Sequence, residues 1–353
     1  MISNRRNTLQ AITRCAICAA CSCCNLSCDL PRTCDLLVGM RRALPLLTFF
    51  FAGALLAPAQ VRFTRLDSSV AVEVGGQPFT TFYYGESAPK PYLHPLLTAD
   101  GVRLTRLYPM DATASGNHDH PHHRGLWLAH GDVNGVDFWA SEPEQRQGKQ
   151  GLIVLKQIVR MQDGAKAGTL RVLLAWLDPS GKTLVNEDRL MTFSGDAKVR
   201  IIDFDVALTV PSKVVFGDTK EGFFAVRLRD EMSEQKGTGL MTNAEGQSGM
   251  NGVWGKSSTW VDYAGAVDGH KVGIAIFDHP GNPHYPTWWH ARDYGLFAAN
   301  PFGERDFTGD KAKNGSVAVE AGKSLRFRYR VLLHPGDTAS AGIGAAWKEW
   351  SVR

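Results

Sequence analysis

Lys323-Ser324-Leu325-Arg326-Phe327-Arg328-Tyr329-Arg330-Val331-Leu332-Leu333 is the stretch whose reading decides the fold. Leu325, Phe327, Tyr329 and Val331 alternate with Arg326, Arg328 and Arg330. A period of two puts the apolar set on one side of an extended chain and the guanidinium groups on the other, so the segment predicts a strand with one face buried and one in water. Ile202, Phe204, Val206 and Leu208 alternate with Asp203 and Asp205 in the same way. Turn-forming residues separate such runs at Gly75-Gly76-Gln77-Pro78, Asp178-Pro179-Ser180-Gly181 and Ser194-Gly195-Asp196. Segments 152 to 161, 169 to 177, 183 to 193 and 198 to 210 therefore read as a meander of long antiparallel strands. Only the C terminus changes period: Ile343, Trp347 and Trp350 are three or four apart, and Asp337 is placed to cap a short helix over 338 to 350. The chain has no βαβ alternation, no GxGxxG and no Walker loop, which excludes the dinucleotide and phosphate-transfer folds. It has no fixed-period repeat, which excludes a propeller or solenoid. The fold class predicted is all-β, a large antiparallel β-sandwich with a short C-terminal helix.

The N-terminal part is a different kind of sequence. All seven cysteines (Cys15, Cys18, Cys21, Cys23, Cys24, Cys28, Cys34) fall in its first 34 residues, at a spacing that matches neither zinc nor iron-sulfur patterns, with a metal or disulfide knot over 15 to 34 as the alternative to the reading below. From Met40, two arginines precede an apolar run from Ala43 to Leu56, and Ala57-Pro58-Ala59 supplies a small-residue cleavage site. That order predicts a signal peptide over 40 to 59, with residues 1 to 39 a spurious upstream extension of the reading frame and 60 to 353 a single β-sandwich domain. Removing six arginines and two aspartates from totals of 39 basic and 35 acidic side chains leaves 33 of each. A balanced charge excludes a nucleic-acid partner. No later apolar run is long enough for a membrane span, so a periplasmic or secreted protein is expected.

The densest polar segment is Asn117-His118-Asp119-His120-Pro121-His122-His123-Arg124-Gly125, which runs into Leu126-Trp127-Leu128-Ala129-His130-Gly131 and on to Gly135-Val136-Asp137-Phe138-Trp139. Five of the eleven histidines lie within 13 residues here. Three readings stay open. The histidines hold a complicated loop; or His118, His120 and His122, two apart, ligate a metal such as Zn, Cu or Fe; or they form an acid/base and substrate-orienting site, with no cofactor.

A second segment, Asp278-His279-Pro280-Gly281-Asn282-Pro283-His284-Tyr285-Pro286-Thr287-Trp288-Trp289-His290-Ala291-Arg292-Asp293-Tyr294-Gly295, precedes Asn300-Pro301-Phe302-Gly303-Glu304. Its aromatic faces suit the packing of a sugar ring, and its His, Arg and Asp suit the hydroxyls, although in a sandwich such Trp residues also serve as core. Between the two, Lys220-Glu221-Gly222-Phe223-Phe224 places a carboxylate at the start of an apolar strand, where it is either a general base or an ion-pair partner of Lys220 or Arg227.

On HDHPHHRGLWLAHGDVNGVDFW and DHPGNPHYPTWWHARDYGLFAANPFG the chain resembles the family of secreted bacterial proteins labelled PmoA-related, across nearly all of 60 to 353. Methane monooxygenase subunits of that name span membranes repeatedly, so their activity is not carried over. The sequence is also similar to the aldose 1-epimerases, which pair a His-Gly with a downstream Gly-x-Asp and Trp, here His130, Gly131, Gly135, Asp137 and Trp139. That second resemblance implies a mutarotase-like supersandwich, with His130 as acid and Glu304 or Glu221 as base. The Asn-Arg-Ile segment of those enzymes is missing. The function expected is a carbohydrate-active enzyme of the epimerase, isomerase or lyase kind, with His130, Glu304, Glu221, His123 and His290 as catalytic candidates. His122, Arg124, Asp137, Trp289 and Arg292 are the substrate-binding candidates, and the partner is a small carbohydrate. A non-catalytic carbohydrate-binding protein and a His-ligated metalloenzyme are the alternatives.

Overall fold

The computed structural model describes residues 60 to 85 and 87 to 353. The cysteine cluster, the expected extension and the expected signal segment lie outside the described residues. Two eight-stranded antiparallel sheets dominate. The first runs Val61–Arg65, Ser69–Val74, Gln77–Tyr83, Tyr92–Leu93, Leu126–His130, Gly222–Arg227, Leu296–Asn300 and Trp288–Ala291 in spatial order. The second runs Leu240–Asn243, Trp260–Val267, His270–Asp278, Ser324–Pro335, Arg200–Thr209, Thr183–Gly195, Ala167–Leu177 and Leu152–Gln162. The last four are the meander read from the sequence.

Alternation decides which way each strand faces. Phe327, Tyr329 and Val331 are buried, and so are Ile202, Phe204, Val206 and Leu208 on the neighbouring strand. Phe224 of the first sheet stacks on Tyr329 of the second with ring centroids 4.6 Å apart, so these faces meet in one core. On the opposite face of the second sheet, Arg330 pairs with Asp203 at 2.6 Å and Arg326 with Asp205. These pairs sit at the water boundary and add little stability beyond solubility.

The C-terminal helix covers Ile343–Ser351, starting after Gly342 and five residues later than the sequence reading; Asp337 instead closes the turn to Ser340. Ile343 and Trp350 pack on Trp260, Ala275, Phe277 and Leu332, which explains why His270–Asp278 is apolar on both faces. Two five-residue helices, Gly249–Val253 and Glu304–Thr308, lie outside the C-terminal segment, the only one the sequence marks as helical. Among the described residues no helix is long and apolar enough to cross a membrane.

Candidate functional site

Leu126–His130 and Gly222–Arg227 are antiparallel neighbours with Gly222 opposite His130. Where they end, the Gly131 amide donates to the Glu221 carbonyl at 2.7 Å. A Cβ at position 131 would stand 2.8 Å from the Glu221 Cβ, so only glycine permits the approach. That approach sets Lys220 and Glu221 on the wall of a cleft of about 420 Å³. His120, His122 and His123 line it from the first polar segment, with Asp137 and Trp139 following; His290, Arg292 and Tyr294 line it from the second.

Sheet register explains this meeting. Trp127 lies opposite Ala225, Ala225 opposite Ala298, and Ala298 opposite His290. Paired residues share a face, so His290 and Trp127 stand at the ends of one row on the side turned away from the second sheet. Two alanines between them leave room above the sheet.

The histidine segment folds back on itself. His120 has φ 46°, in the left-handed region that a non-glycine residue adopts at a cost, and its carbonyl accepts from the His123 amide at 3.0 Å and from Arg106 Nη2 at 3.1 Å. His120 stacks on His123 with centroids 4.7 Å apart and on Tyr294 at 5.3 Å, and His123 stacks on Trp127 at 5.3 Å. This column of four rings runs from the sheet to the cleft. Beside it, fully buried Arg227 lies 4.6 Å from the Tyr294 ring centre and donates to Asp119 Oδ1 at 2.9 Å, which also accepts from Arg106. Burial pushes the Asp119 carboxyl upward, but His120, Arg227 and Arg106 outweigh it and hold it well below the usual range.

Burial lowers three of the cleft imidazoles, His122, His123 and His290. It lowers His122 to about 3, with Lys90 and His120 adding to the effect, and lowers His123 well below its ordinary value, with His122 and Arg227 adding. Burial brings His290 to about 4; Glu221 opposes this while Arg292 and Lys220 reinforce it. Burial raises Asp137, against the Trp139 and Ala140 amides that donate to its Oδ1 at 2.8 and 3.0 Å. Neutral imidazoles offer one N–H donor and one lone pair each, which suits hydroxyl recognition and polarisation of an oxygen more than proton donation.

Several sequence candidates stand elsewhere. His130 is fully buried: alternation from Trp127 puts it on the face toward the second sheet, where it packs on Phe302 and its Nε2 donates to the Gly217 carbonyl at 2.8 Å. Its role as the acid is corrected accordingly. Trp289 is opposite Ala299, which is opposite Phe224, so it too faces inward, fully buried with its indole N–H on the Ser258 carbonyl at 2.9 Å. Trp288 is half-buried against Phe307. Glu304 opens the helix Glu304–Thr308 and pairs with Lys313 at 3.3 Å, off the cleft wall. Arg124 grips buried Glu142 through two bonds of 2.8 and 2.7 Å, a structural pair rather than a ligand contact. His118 turns away, its Nε2 donating to the Ala114 carbonyl at 2.7 Å and its ring stacked on Tyr108, so His118, His120 and His122 do not converge. Among the described residues no three His, Cys, Asp or Glu side chains gather as a metal-ligand set. Glu221 takes Lys220 as its ion-pair partner and not Arg227.

The sequence reading missed Tyr294 as a wall residue and the Arg106–Asp119–Arg227 cluster beneath it. Asp119 and Arg227 are 108 residues apart, and no local spacing signals such a pair.

Residues 69 to 348 match the family described as a family of unknown function, DUF6807. The chain belongs to that family. No curated protein matches it. Among solved structures it is similar to the GH36 alpha-galactosidase AgaA from Geobacillus stearothermophilus, with 10% identity and a TM-score of 0.37 over 79% of this chain and 40% of that one. This chain therefore spans less than half of that protein. Galactose 1-epimerase from Lactobacillus acidophilus aligns at 8% identity and a TM-score of 0.39, over 80% of this chain and all of that one. A galactose mutarotase-like protein from Lactobacillus casei aligns at 10% identity and 0.34, over 78% of this chain and all of that one. Mutarotase-like proteins thus stand among the similar structures, whereas the PmoA-related resemblance gains no support from these matches.

Proposed function

We propose that the cleft takes a carbohydrate and that the protein acts on it by acid–base chemistry, as an epimerase, isomerase or lyase of the periplasm or the cell exterior. One observation carries the reading: the two polar segments, which begin at Asn117 and Asp278, enclose one volume between them, and a partly exposed carboxylate shares it with the imidazoles of His122 and His290. The volume lies within the range of about 300 to 1,000 Å³ common for small-molecule sites. His122, His290 and Asp137 line the volume and offer donors and acceptors to hydroxyls. Glu221, paired with Lys220, is the group placed to take a proton. The walls are close enough to act on each other, since Glu221 opposes the fall of His290 and adds to the rise of Asp137.

The test is Glu221→Gln, which keeps shape and removes the base. Calorimetry and polarimetry against mono- and disaccharides should show sugar binding retained and turnover reduced by about 10² to 10⁴. Undiminished turnover would remove Glu221 from the chemistry. Binding without turnover in the wild type would make the protein a carbohydrate-binding one, the second reading of the same cleft.

A further inference from the structure

We infer that the sugar received by this cleft is an acidic one whose carboxylate pairs with Arg292, an inference that rests on the carbohydrate reading and narrows it. Among the described residues the other cations around the cleft are engaged. Lys220 holds Glu221, Arg227 and Arg106 share Asp119, and Lys90 donates to the Trp139 carbonyl at 2.9 Å. Arg292 differs. Its guanidinium carbon lies 5.8 Å from the ring centres of both Trp254 and Tyr294, so two aromatic faces fix its place without taking a donor. No carboxylate pairs with it, and its buried Nε has no acceptor.

A second unmet group stands beside it. His290 and Arg292 are two apart on one segment, both line the cleft, and His290 Nδ1 is buried without a partner. Two orphaned polar atoms on one wall mark a place where a ligand completes the hydrogen bonding. The acids facing this wall do not fill it: Glu221 is tied to Lys220, and Asp137 Oδ1 receives two backbone amides. Cations add to the lowering of His122 and His123, and at His290 Arg292 and Lys220 do so against Glu221. A guanidinium fork meets both oxygens of a carboxylate at once, a geometry that a hydroxyl does not offer. Uronic acids and related sugar acids are therefore the substrate class.

The experiment compares glucuronate with glucuronamide and galacturonate with galacturonamide by calorimetry on the purified protein, near pH 7.5 and at low salt. Glucose, galactose, glucose 6-phosphate and a sulfated monosaccharide complete the panel. Each acid should bind at least about ten-fold tighter than its amide, with the ratio shrinking as salt rises. In Arg292→Gln the acid-over-amide ratio should fall to about one. Equal binding of acid and amide by the wild type overturns the proposal without needing any variant to fold, and leaves the carbohydrate reading standing. Tighter binding of the phosphorylated or sulfated sugar than of the uronates also overturns it. Failure of every sugar, charged or neutral, to bind overturns this proposal and the carbohydrate reading together.

Discussion

Exchanging His130 for Gln gives the most direct check on the architecture of the cleft wall. The ring is fully buried among Phe216, Phe223 and Phe302, and burial lowers it to about 4 from an ordinary 6.5, against the opposing Gly217 carbonyl. A group depressed below its unfolded value gives stability that is intact above about 6.5 and is lost as the pH falls toward the folded value. Near pH 5 the unfolded imidazole is about thirty-fold more protonated than neutral while the folded ring stays mostly neutral, so this residue alone removes about 2 kcal/mol between pH 7.5 and 5. Glutamine cannot take the proton, yet its amide can still donate to the Gly217 carbonyl. Asp278, which burial raises to about 7, and His94, which burial lowers to about 4, titrate in both proteins and cancel in the comparison. Urea unfolding of both proteins near pH 7.5 and near pH 5 should show the wild-type advantage shrinking by about 2 kcal/mol at the lower pH. A gap unchanged within about 0.5 kcal/mol would mean that His130 is open to water, and would return it to the list of cleft residues.

Glu142→Gln should destabilise the protein by about 3 to 5 kcal/mol in urea unfolding, because it leaves buried Lys90 and the Arg124 guanidinium without their shared counter-charge. Gly125→Ala should cost about 1 to 3 kcal/mol by the same measurement; its φ is 54° and a Cβ there would stand 2.2 Å from the Leu93 carbonyl oxygen. Protein made from Met40 and exported should begin at or near Gln60, and N-terminal sequencing that finds residues 1 to 39 retained would remove the signal-peptide reading.

The fold was legible wherever one sheet face meets water. Arg326, Arg328 and Arg330 interrupt an apolar series, and Asp203 and Asp205 do the same on the adjoining strand, so the two rows announce both their conformation and their orientation. In the first sheet the signal weakens. Leu126–His130 and Gly222–Arg227 are buried along their whole length, since loops cover the outer face, and a strand buried on both sides does not alternate. The helix Glu304–Thr308 escaped because five residues carry no helical period, and Ile343–Ser351 was visible because its Ile343 and Trp350 sit on one apolar face.

For the site, chemistry was legible and sidedness was not. The two histidine-rich segments stood out by composition, but composition does not say which member of Trp289-His290, or of Trp127 and His130, faces the cleft. That is settled by register across four strands: the row Leu128, Phe224, Ala299 and Trp289 turns inward, and the row Trp127, Ala225, Ala298 and His290 turns outward. A slip of one residue in these pairings would exchange the two rows, turning His290 toward the second sheet and Trp289 toward the cleft. The apolar character of Leu128, Phe224 and Trp289 is therefore what holds His290 in the cleft, because the inward row pins the register that the outward row depends on. The core and the candidate site are two faces of the same strands, and a substitution in one row that shifted the pairing would remove the other row from its place.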